Sequence, residues 1–365
     1  MLEFQSLIDK SDKEFNLKFP HICLMGIPHS GKSLLLESII GLDIIQINQN
    51  LEIKRPLELN LIHITSGESY AVFKELEDQK ITDFSKIPEI IQNLQEMKIK
   101  NYQELSNPII LNIFSQKFPN ITFIDLPGTP YIYPGECPMN KKSFPSQLAS
   151  EYAEDNLNLL ICVIPVNYDN FGEKLYCLNL IENPLIKNHR ILGVLTKIDL
   201  INEYGENANV FKQLLYNEIC PLKFGYIGIK NRSLTDLNNK VTLKESIKNE
   251  KNFFEKESPI FGKFPENKVG YEVLIKKLQK HYFEMIKENL SNELKDLNEK
   301  IIKNGFIYNY QKKKNIINIL QFINDNSFKE SEAFNPDKKI KLEKEEDTKN
   351  FKDLIDFINE NAEDD

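Results

Sequence analysis

The chain has 365 residues, 41% of them hydrophobic and 27% charged, with a formal net charge of −8. Those proportions are those of a globular chain long enough for one large or two ordinary cores. The acidic balance excludes nucleic acid as the main partner, because binding a phosphate backbone needs a basic field.

No apolar run reaches the length of a membrane span, and Met1–Lys10 has neither a basic lead nor a long apolar stretch, so a cytoplasmic protein without a signal peptide is expected. The first predicted strand is the apolar run His21–Met25. It runs into Gly26-Ile27-Pro28-His29-Ser30-Gly31-Lys32-Ser33, the pattern G-x-x-x-x-G-K-S, and a helix follows to Ile40. That pattern is a phosphate cradle. Its glycines let the backbone wrap a polyphosphate with successive N–H groups pointing inward; Lys32 reaches the β- and γ-phosphates, and the Ser33 hydroxyl is placed for Mg²⁺. The positive end of the helix faces the same anion.

Pro56–Ile64 alternates apolar and polar residues as a half-buried strand does, and Pro108–Phe114 and Ile121–Ile124 read as two strands flanking a hairpin loop at Pro119-Asn120. Leu157–Val166, Arg190–Leu195 and Phe224–Ile229 are apolar strands. Helical patterns fall near Ser146–Asp155, Glu173–Glu182, Asn209–Glu218 and Thr242–Glu257. Such alternation predicts an α/β fold with a mostly parallel sheet covered on both faces, in which ligands bind at the carboxyl ends of the strands. From Val269 to Asn304 apolar residues recur at a spacing near 3.6, which predicts one long helix that leaves the globular body and packs against another. Phe306–Asp365 is rich in Lys, Asn and Glu; helix is expected to about Phe328 and disorder after it. Cys23, Cys137, Cys162, Cys177 and Cys220 are scattered and lack C-x-x-C spacing, as buried free thiols do.

Three further motifs sit at predicted strand ends. Asp125-Leu-Pro-Gly128 follows Ile121–Ile124, where Asp125 would hold Mg²⁺ through a water and the Gly128 N–H would sense the γ-phosphate. Thr196-Lys197-Ile-Asp199 follows Arg190–Leu195. Its Asp199 carboxylate, expected to be buried, accepts from both N1–H and the exocyclic amine of guanine, a donor pair adenine lacks. The Lys197 stem would lie along the base, and Lys230-Asn231-Arg232-Ser233 would close over its other side. The order phosphate, metal, base, base predicts GTP or GDP as ligand.

Over about residues 4–302 the chain resembles the dynamin superfamily of large GTPases. The resemblance is carried by Gly26–Ser33, Gly41-Leu-Asp43 with Lys54-Arg-Pro-Leu-Glu-Leu59, Asp125–Gly128, Gly193–Leu200, Gly225–Ser233 and Asn252–Lys256. It implies a P-loop NTPase three-layer fold extended by flanking helices of a partial bundle. Residues 1–18 would be a bundle helix, 19–302 the GTPase domain with its long helix, and 303–365 a stalk-like remnant with a charged tail. It also implies GTP hydrolysis with Mg²⁺, with Lys32, Ser33, Asp125 and Gly128 catalytic. Gly26, Ile27, Pro28, His29, Ser30, Gly31, Lys32, Ser33, Leu34, Asp125, Gly128, Thr196, Lys197, Asp199, Leu200, Asn231, Arg232 and Ser233 would bind the nucleotide. Partners implied are a second GTPase domain, of this chain or of a full-length relative, membranes through others, and microtubules by family only.

The departures from that family are specific. Where the family places a threonine that ligates Mg²⁺ and orients water, this chain has Ile53; Pro28-His29 replace Gln-Ser; Asn48 and Asn50 stand at two glycine positions, and Pro130 at a second threonine. Binding machinery is thus complete, while groups that speed hydrolysis are replaced. The chain is also expected to lack the assembly stalk and a lipid-binding region.

Overall fold

A computed structural model describes residues 19–44, 54–76, 79–97, 102–129, 144–166, 190–201, 206–256, 258, 261–304, 313 and 316–320. The expected bundle helix of residues 1–18, the helix Glu173–Glu182 and the tail beyond residue 320 lie outside the described residues, as do Asn48, Asn50, Ile53 and Pro130.

In chain order the elements are β1 His21–Met25, α1 Lys32–Ile40, β2 Leu57–His63, β3 Tyr70–Phe73, β4 Lys80–Ile81, α2 Ile87–Glu96, α3 Tyr102–Ser106, β5 Ile109–Ser115 and β6 Ile121–Asp125. Then follow α4 Phe144–Glu154, β7 Asn158–Pro165, β8 Ile191–Thr196, α5 Glu206–Leu215, β9 Tyr226–Gly228, α6 Leu234–Asn238, α7 Leu243–Phe254 and α8 Tyr271–Asn304. The strands form one nine-stranded sheet in the order β4-β3-β5-β2-β6-β1-β7-β8-β9. From β6 through β9 every pairing is parallel; β2 is antiparallel to β6, and β3 is antiparallel to both β4 and β5.

The centre of the sheet is buried on both sides, so β1, β7 and β8 are apolar except at their ends and alternate residues enter different cores. Ile22, Leu24, Leu159, Ile161, Leu192 and Val194 face Leu35, Leu36 and Ile40 of α1 and Ile87, Ile91 and Leu94 of α2. Cys23, Met25, Leu160, Cys162 and Leu195 face Ala149 and Ala153 of α4 and Phe211, Leu214 and Leu215 of α5. Cys23, Cys162 and Cys220 form no disulfide among the described residues; the first two are buried and the third is exposed.

The hairpin expected around Pro119-Asn120 does not form. β2 inserts between β5 and β6, with Leu59 opposite Leu111 on one side and Phe123 on the other. A polar ladder fixes this register: Asn60 Nδ2 donates to Asn112 Oδ1 at 3.0 Å, and Thr122 Oγ1 donates to Asn60 Oδ1 at 2.6 Å. The Asn120 side chain, expected to serve a hairpin turn, instead accepts the His63 N–H at the end of β2 at 2.6 Å. Between Ile64 and Pro108, where the pattern suggested no element, lie β3, β4, α2 and α3. Tyr70 of β3 stacks on Phe114 at 4.6 Å, and Lys80 covers the Tyr70 ring at 4.5 Å, a charge on the edge strand that discourages further pairing.

The long helix α8 does not leave the body at its start. Leu274, Leu278 and Met285 belong to the core on the α1 side, His281 stacks on Phe224 at 3.8 Å, and Arg190 reaches Asn289 at 3.3 Å and Glu288 at 3.5 Å. Residues 316–320 are helical, with Ile316, Ile319 and Leu320 buried.

At β8, Gly193 leaves room for the neighbouring strand's largest side chain. A Cβ there would lie inside the fully buried Tyr226 ring. Gly193→Ala is therefore expected to lower stability by about 1–3 kcal/mol, the range for overpacking a core. The measurement is the urea midpoint at unchanged slope, and an unshifted midpoint would mean that the ring moves aside freely.

Candidate functional site

The loop between β1 and α1 is shaped by close approach. A Cβ on Gly26 would collide with the Val163 carbonyl of β7, so this position admits only glycine where the chain leaves the strand. His29 sits exposed at φ 57°, and Ser30 is fully buried. Gly31 precedes α1, whose N-terminus has neither a side-chain cap nor an acidic residue in its first turn. By contrast α6 and α7 begin with complete capping boxes, Ser233 with Asp236 and Thr242 with Glu245. An uncapped helix start at the C-terminal edge of a parallel sheet presents N–H donors and a positive dipole to an anion.

Lys32, the first helical residue, is buried and donates to the Gly26 and Ile27 carbonyls at 3.2 and 3.1 Å, which holds its ammonium inside the curve of the loop. Ser33 Oγ donates to Asp125 Oδ2 at 2.7 Å. Asp125 ends β6 beside β1, is fully buried, and its Oδ1 has no hydrogen-bond partner among the described residues. Burial pushes its carboxyl up to about 6, against the opposing pull of the Lys32 charge and the Ser33 hydroxyl. A half-satisfied buried carboxylate beside a serine hydroxyl is a hard-oxygen donor set that fits Mg²⁺, directly or through water. Gly128 lies against Pro28, whose ring and backbone fill the space a side chain would take. Thr129 N–H donates to the Gly26 carbonyl at 3.0 Å. The Thr129 and Ser30 hydroxyls, both buried, have no partner among the described residues. Leu34 is half-buried on α1.

The other two motifs close on this loop. Thr196, last in β8, donates its hydroxyl to the Ser30 carbonyl at 2.7 Å. Lys197 adopts a left-handed conformation (φ 58°) that turns the chain off the strand into a 3-10 turn, Ile198–Leu200. Asp199 consequently stands exposed, and not buried as expected, with Leu200 60% exposed next to it. Burial lowers the Lys197 pKa, and Asp199 opposes that shift. After β9, Asn231 Nδ2 donates to the Gly31 carbonyl at 3.2 Å. Arg232 is committed elsewhere: its guanidinium bonds Glu37 of α1 at 2.8 Å and Asp43 at 2.6 Å. Ser233 is the N-cap of α6. Both residues, expected from the sequence to close over a base, are tied into the fold by these bonds.

Sequence reasoning missed several contributors. Glu37 and Asp43 anchor Arg232. Gln95 of α2, 1% exposed, accepts the Lys54 and Arg55 N–H groups at 3.0 and 2.9 Å and donates to the Arg55 carbonyl at 3.0 Å. The available signal was a polar residue on the buried face of an amphipathic helix, next to Ile87, Ile91 and Leu94.

A glycine loop between a parallel strand and an uncapped helix, with a neighbouring strand's Asp bonded to the loop's serine, defines a P-loop NTPase fold. The particular family follows from comparison with known proteins. The profile described as "Dynamin family" matches residues 22–198, and that of the "Dynamin central region" matches 211–339. Among relatives, Dynamin-1-like protein of Danio rerio is 29% identical over 304 residues, 78% of this chain and 42% of that protein. Dynamin-A of Dictyostelium discoideum is 30% identical over 310 residues, 81% of this chain and 35% of its own length. Phragmoplastin DRP1A of Arabidopsis thaliana is 31% identical over 287 residues, covering 78% and 46%. The chain belongs to the dynamin superfamily and spans less than half the length of these relatives.

The Arg232 ion pair makes its own prediction. Arg232→Ala leaves Glu37, with 3% side-chain exposure, without its cation, and should destabilise by about 3–5 kcal/mol. The double change Arg232→Met with Glu37→Met should recover most of that loss, since a well-packed apolar pair replaces a buried ionic one at little cost. Thermal or urea unfolding of the two variants checks this; a double mutant no better than Arg232→Ala would mean the pair does more than neutralise charge.

Proposed function

We propose that this protein binds GTP and GDP with Mg²⁺ and hydrolyses GTP to GDP and phosphate. The observation that carries the reading is the 2.7 Å bond from Ser33 to buried Asp125 beside a helix start left uncapped. In this reading the Lys32 ammonium exchanges the Gly26 and Ile27 carbonyls for β- and γ-phosphate oxygens. Ser33 and Asp125 hold Mg²⁺, Asp125 through water, and the Gly128 N–H faces the γ-phosphate. When bound, Mg²⁺ would neutralise charge on the polyphosphate. Asp199 selects guanine by accepting two hydrogen bonds; its exposed position gives a base direct access, and base binding then covers it. Lys197 lies along the base, and Asn231 is the residue of the β9 loop tied directly to the phosphate loop.

We propose the domain limits 1–18, 19–302 and 303–365 for the bundle helix, the GTPase domain with its long helix, and the tail. By family the activity is linked to membrane remodelling, with membrane contact through partners. The partner we infer is a second GTPase domain, of this chain or a full-length relative.

A second reading is favoured by particular residues: a hydrolysis-impaired pseudo-GTPase that serves as a nucleotide-dependent interaction module. Ile53 has no oxygen with which to ligate metal or orient water. Pro28 has no side-chain donor and is packed on Gly128, and His29 is exposed. Phosphoryl transfer depends on positioning and charge, so such losses act on rate more than on affinity.

Two measurements test these readings. Asp199→Asn should weaken GTP and GDP binding by about tenfold or more and move preference toward xanthine nucleotides, because the second acceptor is gone; equal binding of ATP and GTP by the wild type would remove the guanine assignment. In single-turnover assays with Mg²⁺ and saturating GTP, wild-type hydrolysis should be slow. Ile53→Thr, alone or with His29→Ser, should raise the rate with little change in affinity, the signature of a contact made in the transition state. A wild-type rate matching that of full-length relatives under the same conditions would remove the second reading.

A further inference from the structure

The loop after β9 is held by one carboxylate that also holds a helix. Glu250 of α7 is buried; its Oε1 accepts the Lys230 N–H at 2.8 Å and its Oε2 accepts the Tyr271 N–H at 2.7 Å. Lys230 opens the loop that carries Asn231, and Asn231 bonds the Gly31 carbonyl. Tyr271 is the first residue of α8, and its N–H is among the four that a helix cannot satisfy internally. The same two segments are joined by backbone: Gly228 N–H donates to the Lys268 carbonyl at 2.9 Å, and Gly270 N–H to the Gly228 carbonyl at 2.8 Å. Burial raises the Glu250 pKa, while the two N–H donors and Lys230 lower it and Glu272 adds to the rise. A single side chain therefore meets the approach to the base and the start of the long helix, one oxygen to each.

We propose that Glu250 is a positioning residue for the base-side loop and that, through its two oxygens, guanine occupancy is coupled to the first turns of α8. The inference rests on the guanine-binding reading above. A carboxylate is required because each oxygen receives an N–H. Glutamine at this position keeps one acceptor and turns a donor toward the other N–H, so it breaks one arm of the clamp while conserving shape. Glu250 bonds Lys230 and Tyr271, while Lys32 and Ser33 of the phosphate loop and Asp125 of β6 keep bonds of their own, and the loop Glu250 holds meets the phosphate loop through Asn231. Loss of the clamp should therefore act more on the base-dependent part of affinity than on the phosphate-dependent part.

The test uses the full chain, wild type and Glu250→Gln, titrated with GTP and with inorganic triphosphate in Mg²⁺, together with hydrogen exchange of the Leu274–Leu278 amides with and without GDP. GTP affinity should fall about tenfold in Glu250→Gln, as for one lost charge-assisted hydrogen bond, while triphosphate affinity changes by less than about twofold. GDP should protect the Leu274–Leu278 amides in the wild type and not in the variant. A parallel fall for both ligands, or no fall for either, overturns the proposal. A wild type that binds GTP no better than triphosphate removes the guanine reading itself and this inference with it, an outcome distinct from a selective wild type and an unaffected variant. Should Glu250→Gln fail to fold, Tyr271→Pro deletes the N–H at a helix position where proline is tolerated, and Tyr271→Ala keeps it. GDP-dependent protection must then vanish in the first and survive in the second, and its survival in both overturns the coupling.

Discussion

Everything at the site depends on β1 lying parallel between β6 and β7. That register sets Leu24 opposite Asp125 and Met25 opposite Cys162, so the chain leaves β1 level with the Asp125 carboxylate and beside the Val163 carbonyl. β8 follows in register beside β7, with Thr196 opposite Pro165, and β9 beside β8. Four loops therefore emerge along one edge, close enough for direct bonds. Thr196 holds the Ser30 carbonyl, Thr129 and Lys32 hold the Gly26 carbonyl, and Asn231 holds the Gly31 carbonyl. In each case a backbone oxygen of the phosphate loop is the acceptor. The Ser30 and Gly31 carbonyls are thus held by neighbouring strand ends, which fixes the backbone of a loop whose N–H groups can serve as an anion cradle.

The electrostatics follow from what the fold leaves unsatisfied. The starts of α6 and α7 are closed by their own Ser233 and Thr242 boxes, whereas α1 has no cap. Asp125 has one oxygen bonded and one without a partner among the described residues, and burial pushes its carboxyl up to about 6. A buried carboxylate of this kind costs free energy until a cation meets it, and an open helix start costs free energy until an anion does. Placed side by side, the two costs are met together by a metal–polyphosphate pair better than by either ion alone.

How much of this was legible in the sequence varies with the physical source of each feature. β1, β7 and β8 were readable because burial on both faces makes a strand apolar throughout. The phosphate loop was readable because its geometry is local and set by glycine. The position of β2 was not, because it depends on pairing with residues about fifty and sixty positions away through Asn60, Asn112 and Thr122. β3 and β4 are four and two residues long, too short for a periodic signal. Ile87, Ile91 and Leu94 of α2 do carry a helical spacing in the sequence, and all three are buried. Asp199 was placed correctly in order but not in burial, since the left-handed Lys197 that swings it outward leaves no compositional trace. The partners of Arg232 and Ser233 within the fold, Glu37, Asp43 and Asp236, leave no trace in the motif itself.

A common device underlies the contacts that were missed. Gln95 on α2, Glu37 on α1 and Glu250 on α7 each lie on a helix, and each sends one buried polar group to a neighbouring loop. Gln95 takes Lys54 and Arg55, Glu37 takes Arg232, and Glu250 takes Lys230 and Tyr271. The helix supplies rigidity through its apolar face, and the polar end transfers it to a loop whose own side chains stay available for chemistry. The segment between Asp43 and Lys54 is bounded by two such tethers, Arg232 on entry and Gln95 on exit. Its exit point is set one residue after Ile53 by contacts to backbone N–H groups, and these do not depend on the side chain at position 53.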